Sequence, residues 1–256
     1  MKMIKSFKLL ALFLCLLAMN SFACESGKSD AFPALKAEDG FIVFNNEPLV
    51  DEGGQETEDV AIGVEFVPCV GNKKRIAGLP FLAATGTVKA AFFENSKTDG
   101  TPKLFIIHGV EIRSDTGVNY KGDYYSVHVF SRGAAGYVRD DRLSNYFGAG
   151  GDITSEPGGL VLVYNFPYKT ADEISKKINS NAYKQWVDGN VVKLTMNKKT
   201  PIYSSANLSD ITKMYLIKGD IVLQEAVEAG WIQIMFKTAK GKEIRGWVQC
   251  VDTSSC

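Results

Sequence analysis

In the run Tyr124-Tyr125-Ser126-Val127-His128-Val129-Phe130, the residues Tyr125, Val127 and Val129 alternate with Ser126, His128 and Phe130. Side chains of a β-strand point to opposite faces in turn, so this period of two predicts a strand with one apolar and one mixed face. A sheet built from such strands packs on one side and can stay wet on the other. Moving outward in both directions, short apolar runs of strand length recur at residues 41–44, 61–70, 81–93, 103–112 and 160–164. They are separated by the turn-forming groups Asp51-Glu52-Gly53-Gly54, Thr98-Asp99-Gly100, Asp115-Thr116-Gly117, Lys121-Gly122-Asp123 and Pro157-Gly158-Gly159. Short strands with turn signals between them predict antiparallel β structure. One helix is signalled after them. Thr170-Ala171-Asp172-Glu173 has the form of a capping box, with Ala171, Ile174 and Ile178 on one side, Lys176 and Lys177 on the other, and an end near Trp186, ahead of Asp188-Gly189.

The first 23 residues have the pattern of a secretory signal. Lys2, Lys5 and Lys8 precede an apolar run over residues 9–19, and Ser21-Phe22-Ala23 offers small residues at the cleavage positions. That run is about half the length a helix needs to span a bilayer, roughly 20 residues. Cleavage after Ala23 leaves Cys24 at the new N-terminus, a position where a thiol can carry an acyl anchor, although Ser21 stands where a lipobox has an aliphatic residue. Membrane attachment of the mature chain depends on that anchor, and localisation is otherwise expected to be periplasmic or secreted. Removing the signal also leaves Cys69, Cys250 and Cys256, so up to two disulfides are expected, with three pairings open. Cys250 and Cys256 lie close enough in sequence to tie down the tail, leaving Cys24 for Cys69. Losing three lysines and no acid takes the formal charge from zero to three negative. Such a balance supplies no general attraction for nucleic acid or anionic lipid.

Residues 24–39 are small, polar and charged, and read as a flexible lead. Residues 40–190 read as a β-rich domain with one or a few helices. From Val192 the pattern changes to very short strands between Gly and charged turns, a pattern that suits a compact barrel. The run Thr200-Pro201-Ile202-Tyr203, then Tyr215-Leu216-Ile217-Lys218-Gly219-Asp220 with Val222, then Gly230-Trp231-Ile232, Gly241-Lys242 and Gly246-Trp247-Val248 resembles bacterial SH3 domains in order and spacing. The expected fold is therefore mainly β: the β-rich domain at 40–190, then a small SH3-like β-barrel at 192–256. In this reading Lys218-Gly219-Asp220 is a tight turn flanked by core-facing Leu216 and Val222, Gly246 lets the last strand approach, and Trp247 packs in the barrel core. The resemblance implies a binding module for cell-wall peptides or protein partners with an aromatic-lined groove. Its expected groove residues here are Tyr203, Tyr215 and Trp231, with Trp231 half-exposed.

No catalytic set emerges from residues 40–190. His108 and His128 both lie in strand-like segments where they can share a sheet face, and Cys69 reads better as a disulfide partner than as a nucleophile beside them. The sequence has no His-Glu-x-x-His, Cys-x-x-Cys, Gly-x-Ser-x-Gly or Ser-x-x-Lys, so no metal, cofactor or serine chemistry is expected. Gly148-Ala149-Gly150-Gly151 lacks the Lys and Ser/Thr of a nucleotide loop and reads as a flexible loop. Arg139-Asp140-Asp141-Arg142 reads as a turn with local ion pairs, or as a recognition loop in which Arg142, Tyr146 and Phe147 contact a partner. These features predict a non-enzymatic envelope protein whose partner is peptidoglycan or an envelope protein. The alternatives are a cell-wall hydrolase using Asp140 or Asp141, and a periplasmic inhibitor or immunity protein.

Overall fold

The computed structural model describes residues 24–95, 100–112, 116–134 and 136–254. The expected signal at residues 1–23 and Cys256 lie outside the described residues. The chain is mainly β, and the described residues form three sheets in which every strand pairing is antiparallel. The first sheet is a meander of β1 (Phe32–Ala37), β2 (Gly40–Val50), β3 (Glu56–Pro68) and β4 (Lys74–Gly78). The central sheet has the order β10-β9-β7-β6-β5, built from β5 (Thr87–Asn95), β6 (Pro102–Glu111), β7 (Tyr120–Gly133), β9 (Ala149–Thr154) and β10 (Leu162–Tyr164), with β8 (Gly136–Arg139) also on β7. Three helices follow or interrupt it: α1 (Asp141–Phe147), α2 (Ala171–Asn179) and α3 (Asn181–Val187).

The central sheet is packed on both faces, which corrects the expectation of a wet side. Every residue of β6 from Lys103 to Val110 is buried. Alternation sends Leu104 and Ile106 to one core, with Phe44, Val64 and Phe66 of the first sheet, and Phe105 and Ile107 to the other, with the helices. On β7, Val127 and Val129 join the helix side. The mixed face of Ser126, His128 and Phe130 is covered by the first sheet, so its polar groups are buried rather than hydrated.

Several local readings change. The expected flexible lead at 24–39 contains β1, whose residues Phe32 and Leu35 pack on the first-sheet core. A two-residue turn at Glu38-Asp39 returns the chain into β2, with Ala37 opposite Gly40. Cys24 is bonded to Cys69. In the chain-entropy view, closing a loop with a sequence separation of 45 contributes about 4 kcal/mol. Cys250 is also disulfide-bonded. The Lys121-Gly122-Asp123 group is no turn; β7 runs through it with a register shift against β9. Residues 81–86 are not strand, and β4 is a strand that apolar runs alone do not reveal.

The capping box is present, with the Thr170 side chain accepting from the Glu173 amide and the Glu173 carboxylate accepting from the Thr170 amide. The helical stretch is broken at Ser180, which ends α2 and caps α3 by accepting from the Tyr183 amide. Lys177 is buried, not on the solvent side, and its ammonium lies 5.9 Å from the Tyr146 ring centroid.

The third sheet has the order β11-β14-β15-β16-β12-β13. Its strands are β11 (Val192–Thr195), β12 (Thr200–Tyr203), β13 (Ile211–Leu216), β14 (Ile221–Glu228), β15 (Trp231–Lys237) and β16 (Glu243–Gln249). It wraps a core of its own that includes Ile202, Leu216, Val222, Ile232, Ile234 and Val248. The turn before β14 is as expected: Asp220 accepts from the Ile217 amide through its carboxylate, at 2.8 Å, and Gly219 has φ +93°. Gly246 also behaves as expected, since a Cβ there would stand 2.3 Å from Ile202 Cγ2. Trp247 departs from expectation. It packs on the central-sheet core, because neighbouring positions alternate: Ile202, Ile232 and Val248 face inward, and Tyr203, Trp231 and Trp247 face the central sheet.

Candidate functional site

That alternation builds a seam. Tyr203, Ala229 and Trp231 of the third sheet join one continuous core with Tyr164, Phe166 and the three helices. Trp231 stacks parallel to Tyr164 at 5.7 Å between ring centroids and meets Tyr203 edge-on at 5.0 Å. The Tyr164 hydroxyl donates to the Ala229 carbonyl, and Gln249 Nε2 donates to the Val163 carbonyl at 3.0 Å. Above this floor the seam opens into a cleft of about 700 Å³, within the range of roughly 300–1,000 Å³ common for ligand sites.

One wall of the cleft is the start of β7 and the end of β9, with Asn119, Tyr120, Tyr124 and Ser155; the other is the β12–β13 loop, with Ala206, Asn207, Leu208 and Ser209. The β9 glycines belong to a strand, not a flexible loop. A Cβ on Gly150 would meet Phe166 at 2.9 Å, and one on Gly151 would meet the Asp123 carbonyl at 2.9 Å and Tyr120 at 3.0 Å, so their small size lets neighbouring rings and backbone come close. Tyr120 and Tyr124 are half-buried, touch edge-on at 5.8 Å, and have hydroxyl pKa values raised by burial. Glu228 is the one charged residue among the described lining.

The expected groove residues are divided. Tyr203 and Trp231 line the cleft together, but Trp231 is only 5% exposed, a correction to its expected half exposure: its ring is sandwiched in the seam. Tyr215 lies away from the cleft on the edge strand β13, 57% exposed, beneath the Lys199 ammonium at 4.3 Å. The recognition-loop reading of Arg142, Tyr146 and Phe147 is corrected. These residues form α1, and Tyr146 and Phe147 are fully inside the aromatic core. Arg142 lies over the Trp186 ring at 4.3 Å and donates to the Trp186 carbonyl at 2.9 Å, at the C-terminal end of α3. Asp140 is the N-cap of α1. It accepts from the Leu143 amide at 3.0 Å and from the Ser131 hydroxyl at 2.9 Å, while Asp141 pairs with Arg139.

The two histidines do share the face toward the first sheet. His128 Nε2 is 2.9 Å from Ser126 Oγ, a spacing suited to a nucleophile and its base. The other ring nitrogen decides otherwise. His128 Nδ1 lies 3.0 Å from Arg139 Nη1, and a guanidinium only donates, so Nδ1 accepts and the ring proton sits on Nε2. The proton then points at Ser126 Oγ and no bare nitrogen remains to receive the serine proton. Burial, followed by Arg139 and His108, pushes the His128 pKa down to about 4. His108 donates from Nε2 to the Thr85 carbonyl at 2.9 Å, and burial lowers its pKa as well. Cys69, bonded to Cys24, offers no thiol.

Neither Tyr120, Tyr124 nor Asn119 was singled out from the sequence. Their signal was present in the aromatic pair four residues apart at the start of β7. Comparison of the chain with protein-family models, with curated proteins and with solved structures gives no match.

Proposed function

We propose that this chain is an exported bacterial envelope protein that acts by binding rather than by catalysis, with its SH3-like segment at 192–256 contacting peptidoglycan or an envelope protein. The observation that carries this reading is the placing of Tyr203 and Trp231. These are two of the three aromatics that the resemblance assigns to a contact surface, the third being Tyr215 outside the cleft, and they line a cleft of about 700 Å³ with further tyrosines. The hydrolase alternative is disfavoured by the local roles of its two carboxylates, since Asp140 is engaged as a helix cap and Asp141 in an ion pair with Arg139. A disulfide at Cys24 uses the sulfur that an acyl anchor would need, which favours a mature chain free of lipid.

The test is sedimentation of the mature full-length chain with purified sacculi, with soluble muropeptides measured in the same tubes. Co-sedimentation without muropeptide release is expected. Failure to sediment overturns the peptidoglycan contact, release of muropeptides overturns the non-catalytic reading, and a diacylglyceryl mass on Cys24 overturns the lipid-free one.

A further inference from the structure

We infer that the cleft between the central and third sheets is a saccharide site, taking the N-acetylated glycan strand of peptidoglycan rather than its stem peptide; this rests on the envelope-binding reading above. Tyr120 and Tyr124 present half-buried rings on one wall, and ring faces suit the apolar C–H face of a pyranose. Beside them the Asn119 carboxamide and the Ser155 hydroxyl make no side-chain hydrogen bond among the described residues, so both are available to ligand hydroxyl and acetamido groups. Neutral hydrogen-bonding groups next to apolar rings match a ligand that alternates hydroxyls with C–H surface.

Charge separates the two parts of the wall polymer. Stem peptides carry carboxylates, and a carboxylate entering a site without a cation loses hydration with no pairing in return. No lysine or arginine is among the described residues lining the cleft, and Glu228 at its edge repels a second carboxylate. A neutral sugar strand meets neither penalty.

The test is calorimetric titration of the mature full-length chain with a β-1,4-linked N-acetylglucosamine tetrasaccharide, and separately with a free stem tetrapeptide. Saccharide binding is expected, with no heat from the peptide. Tyr124→Ala should weaken saccharide binding at least tenfold. Because removing a half-buried ring can loosen the fold, Ser155→Trp provides a second variant: an exposed rim residue enlarged to obstruct the cleft, again with at least a tenfold loss and an unchanged melting temperature. Absence of saccharide binding, or affinity untouched in both variants, overturns the site. If the chain still sediments with sacculi in that case, wall binding stands and its contact lies elsewhere. Saccharide binding without sedimentation supports the site and overturns the wall as its natural source.

Discussion

His128 has its neutral form fixed by its neighbours, and this gives the protein an acid limit. Its pKa falls from 6.5 to about 4 in the folded chain. Between those values the unfolded chain takes up a proton that the folded chain refuses, so stability is complete above about pH 6.5 and declines as pH falls toward 4. A shift of that size corresponds to about 3 kcal/mol. His108, lowered in the same direction, adds to the same slope. Urea unfolding at pH 7.5 and at pH 4.5 should therefore show a lower midpoint in acid, and His128→Gln should flatten the difference. Part of this was legible in sequence: both histidines lie in strand-like segments and can share a face, but only the β6–β7 register, with Ile106 opposite His128 and His108 opposite Ser126, puts them there. That this face would be dry was not, because the covering sheet lies some 60 residues earlier, and nothing local in the run 124–130 reports it.

Elements are legible in the sequence where side-chain periodicity or capping chemistry is strong, and are not where a glycine or a short polar stretch fits two conformations. The capping box at Thr170 and the Lys218-Gly219-Asp220 turn were read correctly because each is a local hydrogen-bonding device. Gly122 and the β9 glycines look identical in sequence to loop glycines; the Phe166 and Tyr120 rings beside Gly150 and Gly151 distinguish the β9 pair, whereas Gly122 meets nothing within 4 Å. Ser180 likewise gives no warning that one helix will be two. In β16 the backbone of Gly246 lies against β12, and a methyl group there has no space, with Ile202 Cγ2 at 2.3 Å and the Tyr203 carbonyl at 2.8 Å. Gly246→Ala should lower stability by about 1–3 kcal/mol through overpacking, read as a fall in melting temperature. Gly241→Ala, in an open turn with positive φ, tests backbone strain without crowding.

The molecule as a whole is knit by aromatic residues that belong to two segments at once. The third sheet spends one face on its own core and the other on the core of the central sheet, so the boundary near residue 190 is a boundary in sequence pattern more than in packing. Two of the three expected groove aromatics, Tyr203 and Trp231, line the cleft and Tyr215 does not; the role of that pair as seam is illegible in sequence, since it depends on a partner sheet far away in the chain. A chain ending at residue 190 should lose the cooperative melting of the full chain and bind a hydrophobic dye, because Phe166, Tyr164 and their neighbours lose Tyr203, Ala229 and Trp231. Sharp melting of that fragment with no dye binding would show that the seam is dispensable. The same seam also orders events in time. Synthesis delivers the N-terminal part of a chain first, so the first and central sheets can associate while the strands carrying Tyr203 and Trp231 are still to come. The helix-side core then waits, unfinished, for its last rings, and contacts so distant in sequence close slowly. The cleft is thus the final feature to mature, and a chain with an open cleft-forming edge is one that has not finished folding.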